Sequence, residues 1–442
     1  MAHVISDLSK YVMAIVMAIY TYECFAVFRY SNEEDRNGIY TRQIICMFLV
    51  HFMGFAAICL ETSDITYIIF YGFQQITLFA TIALFRVLYK EANRLIINNM
   101  CMLLATSFVM LTRLSYEKSV KQFKIVAVSL VIGLLIPFFL KKFKFLKQLT
   151  WIYGLVGAGA LLVVMVLGAV TNGSKISYSL FGYTFQPSEF VKIIFVFFIA
   201  GLLTASKDIM QIIVASGAAG IHVIILVISK DLGSALIFFV VYVVMVFIAT
   251  KNYLYLLLGI GGGAAAAFIA YQLFGHVRNR VLGWQEPFQY IDTLGYQISQ
   301  SLFAIGTGGW FGMGIYQGDP TSIPYVDADF IFSAIAEEMG VIFALCLILV
   351  CISCFLMFMN ISMKIKDEFY RYIAVGLSIT YIFQVFLTIG GGTRFIPLTG
   401  VTLPLVSYGG SSVLTTIIMF SIIQGLYTIR SKEGGKDGKK EE

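Results

Sequence analysis

The sequence is poor in charge. Only 13% of its 442 residues are Asp, Glu, Lys or Arg, whereas 59% are hydrophobic. That balance excludes an ordinary soluble globular domain. Short alternating apolar segments do not dominate, which excludes a transmembrane β-barrel. Only four histidines occur, His3, His51, His222 and His276, with no HExxH spacing, so zinc catalysis has no basis. All seven cysteines sit in apolar runs, where they act as small hydrophobes. The glycine-rich GTGGWFGMG (Gly306 to Gly314) follows no strand and is not GxGxxG, so dinucleotide binding is excluded. No basic n-region or cleavage site precedes the first apolar run, which is therefore expected to be retained. The net charge of +6 comes from scattered loop residues and the C-terminal end, not from a nucleic-acid-binding patch.

What the chain does have is long apolar runs. A membrane span takes about 20 such residues. Thirteen spans are predicted, near 11–28, 43–60, 66–85, 97–112, 123–140, 151–170, 189–205, 209–228, 232–249, 253–274, 328–358, 369–391 and 409–429. The fold class is all-α and polytopic. The 328–358 run exceeds one span, so its start is expected on the surface or in a tilted helix. With the C-terminus inside, 20 Lys and Arg fall on inner loops and 10 outside, with Lys192 in a span. This predicts an outer N-terminus, a cytoplasmic C-terminus and an outer 275–327 loop. Arg113, Lys118, Lys121 and Lys124 are the outer cations that fit this pattern least. The Gly-rich, charged tail SKEGGKDGKKEE is expected to be disordered.

Ionisable groups at membrane depth are functional candidates. Glu189 and Lys192 share a helix face at i, i+3. They form either an internal ion pair or a polar lining near a substrate phosphate. Asp231 opens a span, where a carboxylate suits the helix dipole. Arg113 and Arg394 are outer-face cations that could converge on a pyrophosphate or snorkel individually. The Pro- and Gly-containing stretch Thr399 to Ser412, which includes Ser407, predicts broken backbone beside a cavity.

Between Arg278 and Glu338 lies a segment that no bilayer-spanning helix would contain. Trp284, Glu286, Pro287, Asp292, Gly295, Tyr296 and Gln297 cluster within it. Asp292 is the candidate working group, because a loop carboxylate can accept a proton. Glu286 could do the same, and the residues alone do not separate the two. Asp319, Asp327, Asp329, Glu337 and Glu338 offer oxygens to a divalent cation; for the DxD at 327–329 a helix cap is the plainer meaning.

Several stretches together resemble the SEDS glycosyltransferases, the peptidoglycan glycosyltransferase group of FtsW, RodA and SpoVE. These are QPSEFVK (186–192), DLGSA (231–235), RVLGWQEPFQYIDTLGYQISQSLFAIGTGGWFGMG (280–314), DADFIFSAIAEEMG (327–340) and PLTGVTLPLVSYGGSS (397–412). The resemblance covers about 97–442 and implies a ten-helix core. It divides the chain into a three-helix extension (1–95), the SEDS core (96–430) and a cytoplasmic tail (431–442). Departures are Ser229-Lys230 where the family often has Gln-Pro, Thr388 at a frequent Asn, and Leu294-Gly295-Tyr296-Gln297, which lacks the first glycine of the usual Gly-x-Gly-Tyr-Gln.

The resemblance implies a lipid II polymerase in the bacterial cytoplasmic membrane. Asp292 matches the family's loop aspartate and is the implied general base. Arg113, Glu189, Lys192, Lys230, Asp231, Arg280, Trp284, Gln297, Arg394 and Ser407 are the implied substrate-binding residues. A divalent cation, Mg or Mn, is the one cofactor left open. The implied partners are lipid II, the bilayer and a class B penicillin-binding protein; nucleic acid is not among them. The rival readings are a flippase or transporter of lipid-linked precursors, which intramembrane charge and broken helices also suit, and a non-catalytic scaffold.

Overall fold

Helix starts are set by polar residues at the ends of the apolar runs. The computed structural model describes residues 2–437 except 31, 144, 172–173 and 181–182. Of the basic residues counted above, Lys144, Lys439 and Lys440 lie outside that set. α1 (Ala2–Ala26) is followed by α2 (Glu33–Thr62), where the Asn32 side chain accepts from the Glu34 N–H. Asp64 caps α3 (Ile65–Leu88), Asn93 caps α4 (Arg94–Leu114) and Ser115 caps α5 (Tyr116–Lys142) in the same way. Each cap satisfies an N–H that a helix start leaves free. α6 (Thr150–Leu167) leads into three antiparallel strands, β1 (Ala169–Thr171), β2 (Ser174–Leu180) and β3 (Tyr183–Phe185). Pro187 then opens α7 (Pro187–Ala205), where its missing N–H costs nothing. α8 (Ile209–Ile228), α9 (Leu232–Thr250) and α10 (Tyr253–Leu273) follow, the last two capped by Asp231 and Asn252. Two short helices, α11 (Gly275–Gln285) and α12 (Tyr296–Gly308), precede α13 (Ile331–Met363), α14 (Glu368–Gly392) and α15 (Gly410–Asp437).

Among the described residues, twelve helices are long and apolar enough to cross a membrane: α2 to α10 and α13 to α15. The thirteenth predicted span falls on α1, a 25-residue helix outside those twelve. Four expectations need correction. The 151–170 run stops at Leu167, and Ala169 enters a strand. Lys118, Lys121 and Lys124 are not in a loop, because the Ser115 cap starts α5 at Tyr116. The 275–327 segment is not wholly irregular, since it folds α11 and α12. α15 reaches Asp437, into the predicted disordered tail; 438–442 lie outside the described residues.

The long run that becomes α13 is broken at Gly340, with φ 89°. The glycine-rich segment packs into this break. Val341 N–H donates to Gly309 O at 3.0 Å, and Met313 and Gly314 N–H donate to Glu337 O and Glu338 O at 2.8 and 2.9 Å. A Cβ on Gly340 would collide with the Gly312 nitrogen and Phe311 backbone. Gly308 and Gly312 of GTGGWFGMG therefore serve close backbone approach, to the Ala336 and Glu338 carbonyls.

α4 is fully enclosed and α10 has no buried residues, so the core is centred between α4, α7, α13, α14 and α15. The extension is packed into that core. α1 lies on α2 and α13, and α2 lies on α4. Polar side chains join them: Tyr20 O–H donates to Asn99 Oδ1 at 2.9 Å, and Asn98 Nδ2 donates to Gln43 Oε1 at 2.9 Å. Such bonds between membrane helices contribute roughly 1 kcal/mol each.

Candidate active site

One end of the bundle gathers the polar stretches singled out above. The helix ends at 113–118, 186–189 and 229–234, the 275–330 segment and the 393–412 stretch meet there. Hydrogen bonds link them pairwise, as in Gln186 N–H to Ser411 Oγ at 2.9 Å and Lys118 Nζ to Asp327 Oδ2 at 2.8 Å.

The 393–412 stretch is broken backbone held inside protein. Ser407 Oγ donates to Ala328 O at 2.5 Å and accepts from Leu403 N–H at 2.8 Å; Gln122 Nε2 donates to Ser407 O at 2.8 Å. Ser407 is buried, so it braces the loop rather than facing a ligand. Thr388 Oγ1 donates to Val401 O at 2.9 Å, which is how this chain uses the position where the family often has Asn.

A cavity of about 360 Å³ opens beside this stretch, with Arg280, Gln297, Tyr325 and Asp329 in its walls. Arg280 Nη1 donates to Leu398 O and Thr399 O, both at 3.3 Å. Burial lowers the Arg280 guanidinium from its ordinary range, against the pull of Asp329 and Asp231. Burial pushes the Asp329 carboxyl up to about 7; Arg280 opposes the shift and Asp327 adds to it. His276 stands near Arg280 and Lys230. Burial and then those two cations hold its imidazole below the usual value, and its Nε2 is buried without a partner. Lys230 is exposed, with φ 62°, and its side chain has no partner among the described residues.

Asp292 lies on the turn that joins α11 to α12. It is exposed and has no hydrogen bond or ion pair among the described residues. The turn runs directly into Leu294 and Gln297, which line the cavity. Gly295 lets the turn fold back: a Cβ there would strike the Pro287 carbonyl. Trp284 Nε1 donates to Arg394 O at 3.0 Å, which ties α11 to the broken stretch.

Other candidates are committed to internal partners. Arg113 Nε donates to Glu338 Oε1 at 2.8 Å, and its Nη2 donates to Gly318 O. Lys192 pairs with Glu189 at 2.8 Å and donates to Gln384 Oε1 at 2.7 Å, all buried. Asp231 accepts from Ser188 Oγ at 3.0 Å and from the Ser234 N–H at 3.1 Å. Arg394 spends its guanidinium on Trp284 O and Gln285 O. Of the five cations among the implied substrate-binding residues, Arg113 and Lys192 pair with carboxylates, Arg280 and Arg394 each donate to two backbone carbonyls, and only the Lys230 side chain has no partner among the described residues. The five acidic residues considered for a divalent cation are not assembled as a cage. Among the described residues no three His, Cys, Asp or Glu side chains gather, and Asp327 and Glu338 are claimed by Lys118 and Arg113. In sequence, Asp329 is one of five carboxylates open to a divalent cation and half of a DxD, and His276 carries no signal. Both emerge only from three-dimensional proximity to Arg280.

The family model of FtsW, RodA and SpoVE, described as "Cell cycle protein", matches residues 87–432. The chain belongs to the FtsW/RodA/SpoVE family. It is 35% identical over 314 residues to the peptidoglycan glycosyltransferase RodA of Mycobacterium tuberculosis, covering 65% of this chain and 66% of that protein. It thus spans just under two thirds of that relative's length. It is 31% identical over 303 residues to stage V sporulation protein E of Bacillus subtilis, covering 65% of this chain and 81% of that protein. A solved chain described under "Structural coordination of polymerization and crosslinking by a peptidoglycan synthase complex" superposes with a TM-score of 0.66 and 25% identity, covering 77% and 98% of the two chains. RodA of Thermus thermophilus shares the fold at a TM-score of 0.58, 22% identity and 77% and 97% coverage. The FtsW/RodA/SpoVE match starts at residue 87, inside α3, so most of α1–α3 precedes it.

Proposed function

We propose that this chain is a peptidoglycan glycosyltransferase that polymerises lipid II at the outer leaflet of the cytoplasmic membrane. Family membership and relatives named as peptidoglycan glycosyltransferases support this reading. The observation that carries it is the unpartnered Asp292 carboxylate on the turn leading into the Arg280–Asp329 cavity. Asp292 takes the proton from the acceptor sugar's 4-hydroxyl. That oxygen bonds to the anomeric carbon of the growing chain as the bond to pyrophosphate breaks. The electron pair leaves with undecaprenyl pyrophosphate, and the configuration inverts because a single displacement suffices. Arg280 and Lys230 offset the charge that builds on the leaving group; fixed cations of this kind act most strongly where water is excluded. A positioned base of this kind contributes about 10²–10⁴-fold.

In this reading the Asp292 end faces outward, the C-terminus is cytoplasmic and the N-terminus is outside, as the Lys and Arg distribution favours. The partner is a class B penicillin-binding protein, consistent with the neighbour drawn from a peptidoglycan synthase complex. The test is incubation of the purified protein with labelled lipid II, alone and with that partner. Glycan ladders are expected. Lipid II flipping in vesicles without ladders under either condition would overturn the polymerase reading in favour of a flippase.

A further inference from the structure

A separate cavity of about 510 Å³ lies at the opposite end of the bundle. α4 sets the distance between the two. It begins at this cavity with Arg94 and carries Arg113, beside Glu338 and Gly318, in its last turn. Its 21 residues span about 30 Å, one bilayer core. The cavity therefore sits at the other membrane face, whichever face that is.

Its walls are strongly positive. Arg36, Lys90, Arg94 and Lys364 line it, and Glu91 is the single carboxylate among the lining residues. The site-end cations Arg113, Lys118 and Lys192 each have a carboxylate partner. Here, Arg36 Nε donates only to the Tyr30 carbonyl, at 2.6 Å, and Arg94 donates to the Asn37 side-chain oxygen. The side chains of Lys90 and Lys364 have no hydrogen bond or ion pair among the described residues. Two helices also begin here. Arg36 lies in the first turns of α2, and Arg94 is the first residue of α4. Helix starts favour anions. Phe28 and Met357 add apolar wall beside the charges.

We propose that this cavity binds the phosphate head group of an anionic phospholipid from the leaflet opposite the Asp292 turn. Four cations at interfacial depth, without an ion pair among the described residues and against the one lining carboxylate Glu91, suit a lipid phosphate, and the adjoining apolar wall suits the start of its acyl chains. Phe28 and Arg36 precede residue 87, so the site joins the N-terminal extension to the family core. A bound head group bridges α2, the α3–α4 junction and the end of α13. The inference does not depend on the polymerase reading.

The test is native mass spectrometry of the full-length, delipidated protein, titrated with phosphatidylglycerol or phosphatidylcholine. One phosphatidylglycerol should be retained in preference to phosphatidylcholine. Substituting Arg36→Gln, Lys90→Gln and Lys364→Gln together should weaken that binding about a hundredfold, at roughly fivefold per cation. The lipid-free melting midpoint checks the fold of this variant. If it is unfolded, the exposed single change Lys364→Gln should show about a fivefold loss. Equal retention of both lipids, unchanged phosphatidylglycerol binding in the variant, or displacement of the lipid by equimolar inorganic phosphate would each overturn the proposal.

Discussion

Trp284 and Arg394, 110 residues apart in sequence, hold each other's backbone. Trp284 Nε1 donates to the Arg394 carbonyl, and Arg394 Nε donates to the Trp284 carbonyl, both at 3.0 Å. This reciprocal clamp fixes α11, and through it the start of the Asp292 turn, against the broken stretch that walls the cavity. Arg394→Ala removes the Arg394 half of the clamp and its bond to the Gln285 carbonyl, and leaves the Trp284 half. We expect a 10- to 100-fold fall in polymerisation rate, since about 1 Å of misplacement can cost 10²-fold. The melting midpoint should move by only a few degrees.

The buried pair Arg113–Glu338 is predicted to be structural. Their side chains are 10% and 0% exposed, and Glu338 Oε1 also accepts from the Tyr316 N–H at 3.1 Å. Arg113→Met alone leaves a buried carboxylate unpaired and should cost about 3–5 kcal/mol. Adding Glu338→Met should recover part of that loss. Denaturation in detergent of both single variants and the double variant checks the coupling.

Asp329 predicts a pH effect. Its folded value near 7 lies above the unfolded value of 3.8, so the native state holds the proton more tightly. That stabilising contribution is complete below about pH 3.8 and is lost as pH rises through 7. The same ionisation places a negative charge opposite Arg280. Binding of an anionic leaving group should weaken between pH 6 and pH 8. Asp329→Asn should flatten both trends; titration of melting midpoint and of product inhibition by undecaprenyl pyrophosphate reads them.

Gly340 and Gly261 are expected to behave oppositely on mutation to alanine. At Gly340 the backbone has φ 89° and the space is filled by the Gly312 and Phe311 backbones. At Gly261 a Cβ meets nothing within 4 Å. Gly340→Ala should destabilise by at least about 3 kcal/mol. Gly261→Ala should be close to neutral or slightly stabilising. Comparative melting of the two proteins checks this.

Much of the bundle was legible because hydrophobic length and capping residues act locally. The predicted spans start close to the observed starts of α3, α4 and α14, whereas the Asn32 and Ser115 caps start α2 and α5 at Glu33 and Tyr116, well ahead of the spans predicted from 43 and 123. The β1–β3 sheet was not read, because β1 and β3 have three residues each and the apolar run predicted as a span at 151–170 extends into β1. The Glu189–Lys192 pair could be read from i, i+3 spacing. The commitment of Arg113 to Glu338, 225 residues away, could not. Nor could the meeting of Asp329 with Arg280, since nothing local to either residue reports the other. Asp292 and Glu286 were both legible as loop carboxylates and the family resemblance chose Asp292, whereas a cavity is a product of packing.

The role of Asp292 as the base is tested by one assay. Single-turnover polymerisation of labelled lipid II should be compared for the wild type, Asp292→Asn and Glu286→Gln, each with the class B penicillin-binding protein present and each shown to be folded. The account predicts ladders from the wild type and Glu286→Gln, and at least a 10²-fold slower reaction from Asp292→Asn. Equal ladders from the wild type and Asp292→Asn would contradict it.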